Sequence, residues 1–584
     1  MSSSSTSSPS DPHARHFMHC LPFGAQVIGA GRGKPQTRFR FWAPSCQAVQ
    51  VVFEASDGGD GTPPPALDMT GTGNGWFEAQ APCGPGTRYR YRIDGKQAVP
   101  DPASRFQPQG AEGPSVVVDP RAHAWQQAQW MGRPWEETVL YELHVGALGG
   151  YRHVAARLPA LAALGVTAIE LMPLNDCAGE RGVGYDGVLP YAPHAAWGTP
   201  DELKTLIDTA HGLGLQVFVD VVYHRLGNDS NAMRDHAEPF FRSNDKPDFE
   251  RFEVRDFFCE NALYWLMEYR FDGLRIDAAD AIGNEAWLRE LSDHVRARVE
   301  EGRHVHLVLD HGPNTASLLG THFDAQWNDD AHHALHRLLT GETDGVDGAL
   351  TSHPIRELAR VLSAGVAPQD EAPPPTAFVM YLQNHAQVGD RAGGKRLRAV
   401  CGADDALRAA TALYLLAPRI PLLFMGEEHG STEPFQTAWP EQAPAEPPPP
   451  DASLNEDQRT WLHFYRSALA VRAHLLMPRL RHTSALGATV LADDAGNDHA
   501  ALVAHWRLGD GEVLTLALNL GHDEVPFNHE PDGMIVFETP DRARDRLDEG
   551  VLPARACVAW MTGDVPDYAL RHDARVVHRE ETGA

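Results

Sequence analysis

The sequence predicts an α/β fold: a (β/α)8 TIM barrel with an N-terminal and a C-terminal β-sandwich. Three observations predict it. Apolar strands alternate with amphipathic helical patterns through roughly 300 central residues, the signature of a parallel barrel. Short alternating strands with Gly/Pro turns occupy both flanks. At 584 residues the chain is too long for one ordinary domain, and 42% hydrophobic residues are enough for a large core.

Residues 1–23 open with Met-Ser-Ser-Ser-Ser-Thr-Ser-Ser-Pro-Ser, which has no apolar core and reads as a disordered tail, not a signal peptide. Residues 24–120 read as a small β-sandwich, with strands at Phe39–Trp42, Val49–Phe53, Gly75–Ala79 and Arg88–Ile93, and a turn at Asp94-Gly95. Residues 121–478 carry the barrel. Its predicted strands are Val139–His144, Thr167–Met172, Gln216–Val222, Asp272–Asp277, Val305–Asp310, Asp324–Trp327, Ala377–Leu382 and Ile420–Phe424. Helical patterns fall between them; in Glu202–Leu213, Leu203, Leu206, Ile207 and Ala210 share one face. The pattern alone also accommodates a doubly wound open sheet. A proline-rich stretch at 439–451 reads as an extended loop, followed by a helix at Glu456–Leu475. Residues 479–584 return to short strands and a second sandwich.

Composition narrows the function. Fifty basic against 79 acidic residues give a net charge of −29, which argues against nucleic acid or an anionic membrane as a partner and suits an enzyme acting on a neutral ligand. Seven scattered cysteines without CxxC spacing read as reduced thiols in the cytoplasm, with neither disulfides nor a zinc site. No run of 18 apolar residues occurs, so no membrane span is expected. Nothing in the chain calls for a cofactor. Oligomeric state is not legible.

Phe-Asp-Gly-Leu-Arg-Ile-Asp at 271–277 carries the most chemistry. Arg275 and Asp277 lie two apart on a strand and so point the same way. A carboxylate beside a guanidinium stays ionised and suits a nucleophile. In a barrel, chemistry gathers at the ends of strands. Those ends carry Asp220 and Tyr223, Arg275 and Asp277, Asp310 and His311, and Gln383, Asn384 and His385. Several carboxylates with an Arg and a His suit glycoside chemistry. A retaining glycosidase needs two carboxyl groups about 5–5.5 Å apart, and Asp277 with Asp310 is the obvious pair. Each residue has a plainer reading: Asp220 as a structural ion pair, His385 as a core histidine, Asp310 as a helix cap. His332-His333 resembles a metal pair, but adjacent helical residues point apart. Asp329-Asp330 is expected to cap that helix.

With these residues in place, the chain resembles the α-amylase superfamily of glycoside hydrolases, and within it the malto-oligosyltrehalose trehalohydrolase family. The resemblance runs through Phe-Arg-Phe-Trp-Ala-Pro at 39–44, Tyr-Glu-Leu-His-Val-Gly at 141–146 and Leu-Gly-Val-Thr-Ala-Ile-Glu-Leu-Met-Pro at 164–173. It continues through Gly-Tyr-Asp-Gly at 184–187, Asp-Val-Val-Tyr at 220–223, Asn-Asp-Asp-Ala-His-His at 328–333, Leu-Gln-Asn-His at 382–385 and Pro-Leu-Leu-Phe-Met-Gly-Glu-Glu at 421–428. It implies an immunoglobulin-like N-terminal domain of the carbohydrate-binding type. The implied reaction is retaining hydrolysis of the α-1,4 bond next to a terminal trehalose unit, with malto-oligosyl trehalose or a related α-glucan as ligand. By motif, Asp277 is the nucleophile, Arg275 its ionic partner, Asp220 a support, and Tyr185 and His385 sugar contacts.

The chain departs from the family at three places. His224 and Arg225 stand where the family has a sugar-binding Asn and His. Asp310 stands for a Glu, or Leu309 if the alignment slips by one. Ala386 stands where a carboxylate grips the distorted sugar. Arg225 brings positive charge to where an oxocarbenium-like centre develops. Two main readings follow: a hydrolase with impaired turnover, or a catalytically inactive α-glucan-binding protein on the same fold. A branching-type transferase would need the same missing groups.

Overall fold

The computed structural model describes residues 17–562 apart from 29–34, 55–63, 178–182, 229–230, 244, 313–316, 343–352, 365–372, 392, 436–452, 528–530 and 532. The proline-rich stretch at 439–451 lies outside the described residues, as do residues 1–16 and 563–584. Eight strands close into a barrel: Leu140–Leu143, Ala168–Leu171, Gln216–Val222, Gly273–Asp277, His306–Leu309, Ala325–Trp327, Phe378–Met380 and Ile420–Phe424. The first pairs in parallel with the last, Leu140 opposite Leu422, which excludes the open sheet.

Every residue of these strands is buried. Parallel strands covered on both faces read as near-continuous apolar runs. The informative residues are therefore the polar exceptions pointing into the barrel. The helices pack as their period predicts. Tyr151–Leu164 buries Val154, Leu158, Leu161 and Leu164. Pro200–Gly212 begins with a Thr199/Glu202 capping box and buries Leu203, Leu206, Ile207 and Ala210.

The N-terminal domain is two facing sheets. One orders Gly24–Ile28, Gln36–Trp42, Trp76–Ala81 and Thr70–Gly73, and the other is built on Val49–Glu54 and Arg88–Ile93. Alternation puts Phe39, Phe41, Val51, Tyr89 and Tyr91 between them. Residues 17–23, expected to belong to a disordered tail, pack against the protein. Phe17 lies under the Arg270 guanidinium at 4.0 Å. Leu21 and Pro22 accept hydrogen bonds from Arg38 and Arg40 through their carbonyls. Phe23 stacks between Trp76 of the sandwich and Phe257 of the barrel. Two aromatic anchors with satisfied carbonyls outweigh the entropy of a short segment.

At the other end, five antiparallel strands form one sheet: Ser484–Ala492, Asp498–Arg507, Val513–Asn519, Ala556–Met561 and Met534–Thr539. One face rests on the barrel helices Pro354–Ala364 and Asp404–Leu416. The other is covered by a two-stranded ribbon and the helix Ala543–Asp548. Among the described residues no helix is long and apolar enough to cross a membrane.

Candidate active site

The fourth strand, Gly273–Asp277, sends Leu274 and Ile276 outward to the helices, and Arg275 and Asp277 inward. Gly273 is obligatory, because a Cβ there would lie 2.1 Å from a Phe218 ring carbon. Just past Asp277 the backbone turns through a left-handed residue, Ala278 at φ 41° and ψ 52°. Strain of this kind at a strand end is a mark of functional sites. The turn aims two backbone N–H groups at the fifth strand's end: Ala278 donates to Asp310 Oδ2 at 3.2 Å, and Ala279 to the Asp310 carbonyl at 2.7 Å.

Arg275 is the hub. Its Nη1 donates to Asp220 Oδ2 at 2.7 Å and to Asp277 Oδ1 at 3.1 Å, while Nη2 donates to Asp310 Oδ2 at 2.8 Å. Its Cζ sits 3.9 Å from the centre of the Trp327 ring. Only 2% of the residue is exposed, so one cation serves three acids with little help from solvent.

A ring wall stands beside this hub. Gly184, at φ +91°, makes a turn too tight for any other residue, since a Cβ would come within 2.1 Å of the Pro173 carbonyl oxygen. That turn delivers Tyr185, whose hydroxyl donates to Asp220 Oδ2 at 2.7 Å. The Tyr185 and His385 rings stack at 4.8 Å and 16°. His385 starts the helix His385–Asp390, capped by Asn384, whose side chain accepts from the Ala386 and Gln387 N–H groups. From the first strand, fully buried Glu142 grips His385 twice: Nδ1 lies 2.5 Å from Oε1, and the backbone N–H donates to Oε2 at 3.0 Å. Burial alone would lower the His385 pKa; the Glu142 carboxylate outweighs it and raises the imidazole above its ordinary value.

The structure thus brings Asp220, Arg275, Asp277, Asp310, Tyr185 and His385 to one mouth. His224 reaches it too, with Nδ1 at 3.5 Å from Asp277 Oδ2, and burial lowers its pKa. Arg225 turns away. It pairs with Asp186 at 3.1 Å, and its side chain is 38% exposed. The pairing partly offsets the positive charge expected there, and the exposed acid draws the long side chain toward the rim. Ala386 contributes only a methyl group in the first turn of its helix. Asp310 is not a free cap; its carboxylate is taken by Arg275 and the Ala278 N–H. Tyr223 leaves the site, donating to Asn261 behind the strand at 2.8 Å. The helix expected to be capped by Asp329-Asp330 is capped by Asn328, which accepts from the Ala331 N–H at 3.1 Å. His332 Nδ1 lies 2.9 Å from the Leu382 carbonyl oxygen.

Three residues of the site escaped sequence reasoning: Glu142, Glu170 and Trp327. The signal for the two acids was present, because a Glu inside an otherwise apolar, doubly covered strand has no solvent to face. Trp327 has no such signal and reads as core. Glu142, Asp220 and His385 present ligand-type atoms within 4.8 Å of one another. Glu142 and His385 pair with each other, and Asp220 Oδ2 with Tyr185 and the Arg275 cation, so the trio is held as a charge cluster.

Comparison with known proteins agrees with this architecture. Residues 22–122 match carbohydrate-binding module 48 (isoamylase N-terminal domain), 132–262 the α-amylase catalytic domain, and 478–559 a domain of unknown function, DUF3459. The malto-oligosyltrehalose trehalohydrolase of Deinococcus radiodurans is 36% identical over 441 residues, 71% of each chain. That of Rhizobium sp. is 33% identical over 604 aligned residues, covering 89% of this chain and 95% of its own. The crystal structure of a putative α-amylase from Salmonella typhimurium superimposes with a TM-score of 0.81 at 34% identity, covering 93% of this chain and all of that one. A pullulanase from Paenibacillus barengoltzii shares the fold at 18% identity and a TM-score of 0.70. By fold, motif and full-length similarity, the chain belongs to the malto-oligosyltrehalose trehalohydrolase family of the α-amylase superfamily.

Proposed function

We propose that this protein binds malto-oligosyl trehalose and hydrolyses the α-1,4 bond next to the terminal trehalose unit by retention, far more slowly than a complete site would. The observation that carries the reading is Asp277, held by Arg275 through Oδ1 alone. Its second oxygen lies 3.5 Å from His224 Nδ1 and accepts no hydrogen bond from Arg275. That oxygen is the attacking atom: it bonds to the anomeric carbon as the glucan bond breaks, and water then releases the sugar from Asp277. Tyr185 and His385 form a flat wall for the pyranose face, and Asp220 holds Tyr185 in place.

Turnover is slow for two reasons. Asp310 is engaged as an acceptor by Arg275 and Ala278, whereas a general acid must offer a proton to the leaving oxygen. It is also one methylene shorter than a Glu, and about 1 Å of misplacement costs about 10²-fold. At Ala386 no carboxylate stabilises the developing charge, a further loss of about 10²–10³. Such losses do not simply multiply, so about 10⁴ is the scale.

The test is trehalose release from maltotriosyl-trehalose by purified protein beside an Asp277→Ala control. Slow release abolished by that substitution supports the reading. Saturable binding without release would favour the second reading, an α-glucan-binding protein, to which the capture of Asp310 by Arg275 also points.

A further inference from the structure

Glu170 of the second barrel strand sits among acids. Its register partner on the first strand is Glu142, and the neighbouring third strand carries Asp220 two residues beyond Phe218, its partner there. Glu170 is fully buried, and neither of its carboxyl oxygens meets a hydrogen-bond donor; the same holds for Asp220 Oδ1. Most nearby donors are committed elsewhere, and Arg275 Nε, buried without a partner, does not bond these oxygens. Arg275 Nη1 and the Tyr185 hydroxyl go to Asp220 Oδ2, and His385 goes to Glu142. Three buried acceptors with no donor among the described residues are not all ionised oxygens. The missing donor is a proton.

We propose that Glu170 is a neutral carboxylic acid at neutral pH and donates its O–H to Asp220 Oδ1. It is thereby a positioning residue that holds Asp220 for Arg275 and Tyr185. The two residues lie on neighbouring paired strands, with Asp220 two positions beyond the register partner of Glu170 and so on the same inner face. Burial is the largest influence raising the Glu170 pKa well above the carboxylate range; Asp220 and Glu142 raise it further, and Arg275 opposes them. Burial raises Asp220 as well. Arg275, at 2.7 Å from Asp220, decides which of the pair keeps the charge. Asp220 stays the anion and Glu170 keeps the proton. With Oδ1 so occupied, the Asp220 carboxylate cannot rotate, and Oδ2 remains on its two donors.

The test is infrared difference spectroscopy of the intact protein at pH 8, wild type minus Glu170→Gln. Loss of one carboxylic-acid C=O band supports the proposal, and loss of a carboxylate stretch instead overturns it. So does a stoichiometric metal ion in the wild type that Glu170→Gln lacks, since the donor would then be a cation. A second readout rests on the glucan reading above: affinity for maltotriosyl-trehalose. Glutamine keeps an N–H for Asp220, so affinity should stay within about threefold, while Glu170→Ala should lose about ten- to a hundredfold. Equal loss in both variants overturns the positioning role. If the wild type binds no such sugar, the glucan reading fails and the infrared result still decides this one.

Discussion

In the double variant Ala386→Asp, Asp310→Glu, trehalose release should rise by about 10⁴-fold over the starting protein. The structure shows why two changes are needed. The Ala386 N–H is in the first turn of the helix that presents His385, and it donates to Asn384 at 2.9 Å. The N–H groups of that turn already donate to Asn384 and Glu142, so a carboxylate there is favoured by the helix dipole alone, by about 0.3–1 kcal/mol. It restores an anion next to the developing positive charge, worth about 10²–10³ in rate. Asp310 needs the extra methylene to carry its carboxyl clear of Arg275 Nη2, now 2.8 Å away, and out to the leaving oxygen. That accounts for about a further 10². The assay is single-turnover release from maltotriosyl-trehalose at saturating enzyme, with binding measured on the same preparations. If a folded double variant binds the sugar as tightly as the parent and releases no more trehalose, the account of the slow step is wrong.

Arg275→Lys should lose about 3–5 kcal/mol of unfolding free energy, because one ammonium cannot bridge three acids, two of them buried, and leaves at least one uncompensated; chemical denaturation measures it. Asp272→Ala, at the opposite end of the same strand, removes the acceptor for Trp130, His211 and the Val217 N–H. It should cost about 3–5 kcal/mol and leave sugar affinity per folded molecule unchanged, which titration calorimetry reads. Burial raises Glu427 from its ordinary 4.5 to about 7. Its folded-state value thus lies above its unfolded one. Its contribution to stability is full below pH 4.5 and is lost as pH rises through about 7. Glu427→Gln should therefore flatten the wild type's decline across that window by about 3 kcal/mol, seen as converging denaturation midpoints at low pH and diverging ones above 7.

The barrel was legible because its signals are local. Eight apolar runs separated by helical periods need no knowledge of neighbours, and all eight predicted strands take part in the closed sheet. Arg275 and Asp277 were legible for the same reason: two residues on one strand share a face whatever surrounds them. Closure itself was not local, since an open sheet has the same pattern until Leu140 meets Leu422.

What the sequence determined by itself is the run of eight strands and the placing of Arg275 and Asp277 on one face of one of them, both carried by spacing within single elements. What only the tertiary structure decided is how the charges are shared. Glu142 meets His385 across 243 positions, and Glu170 finds Asp220 only because neighbouring strands align. Arg225 leaves for Asp186, and Asp310 is captured by Arg275. Electrostatic partnership depends on distances of a few ångströms and on the absence of water. Both are fixed only when strands far apart in sequence close around a common interior.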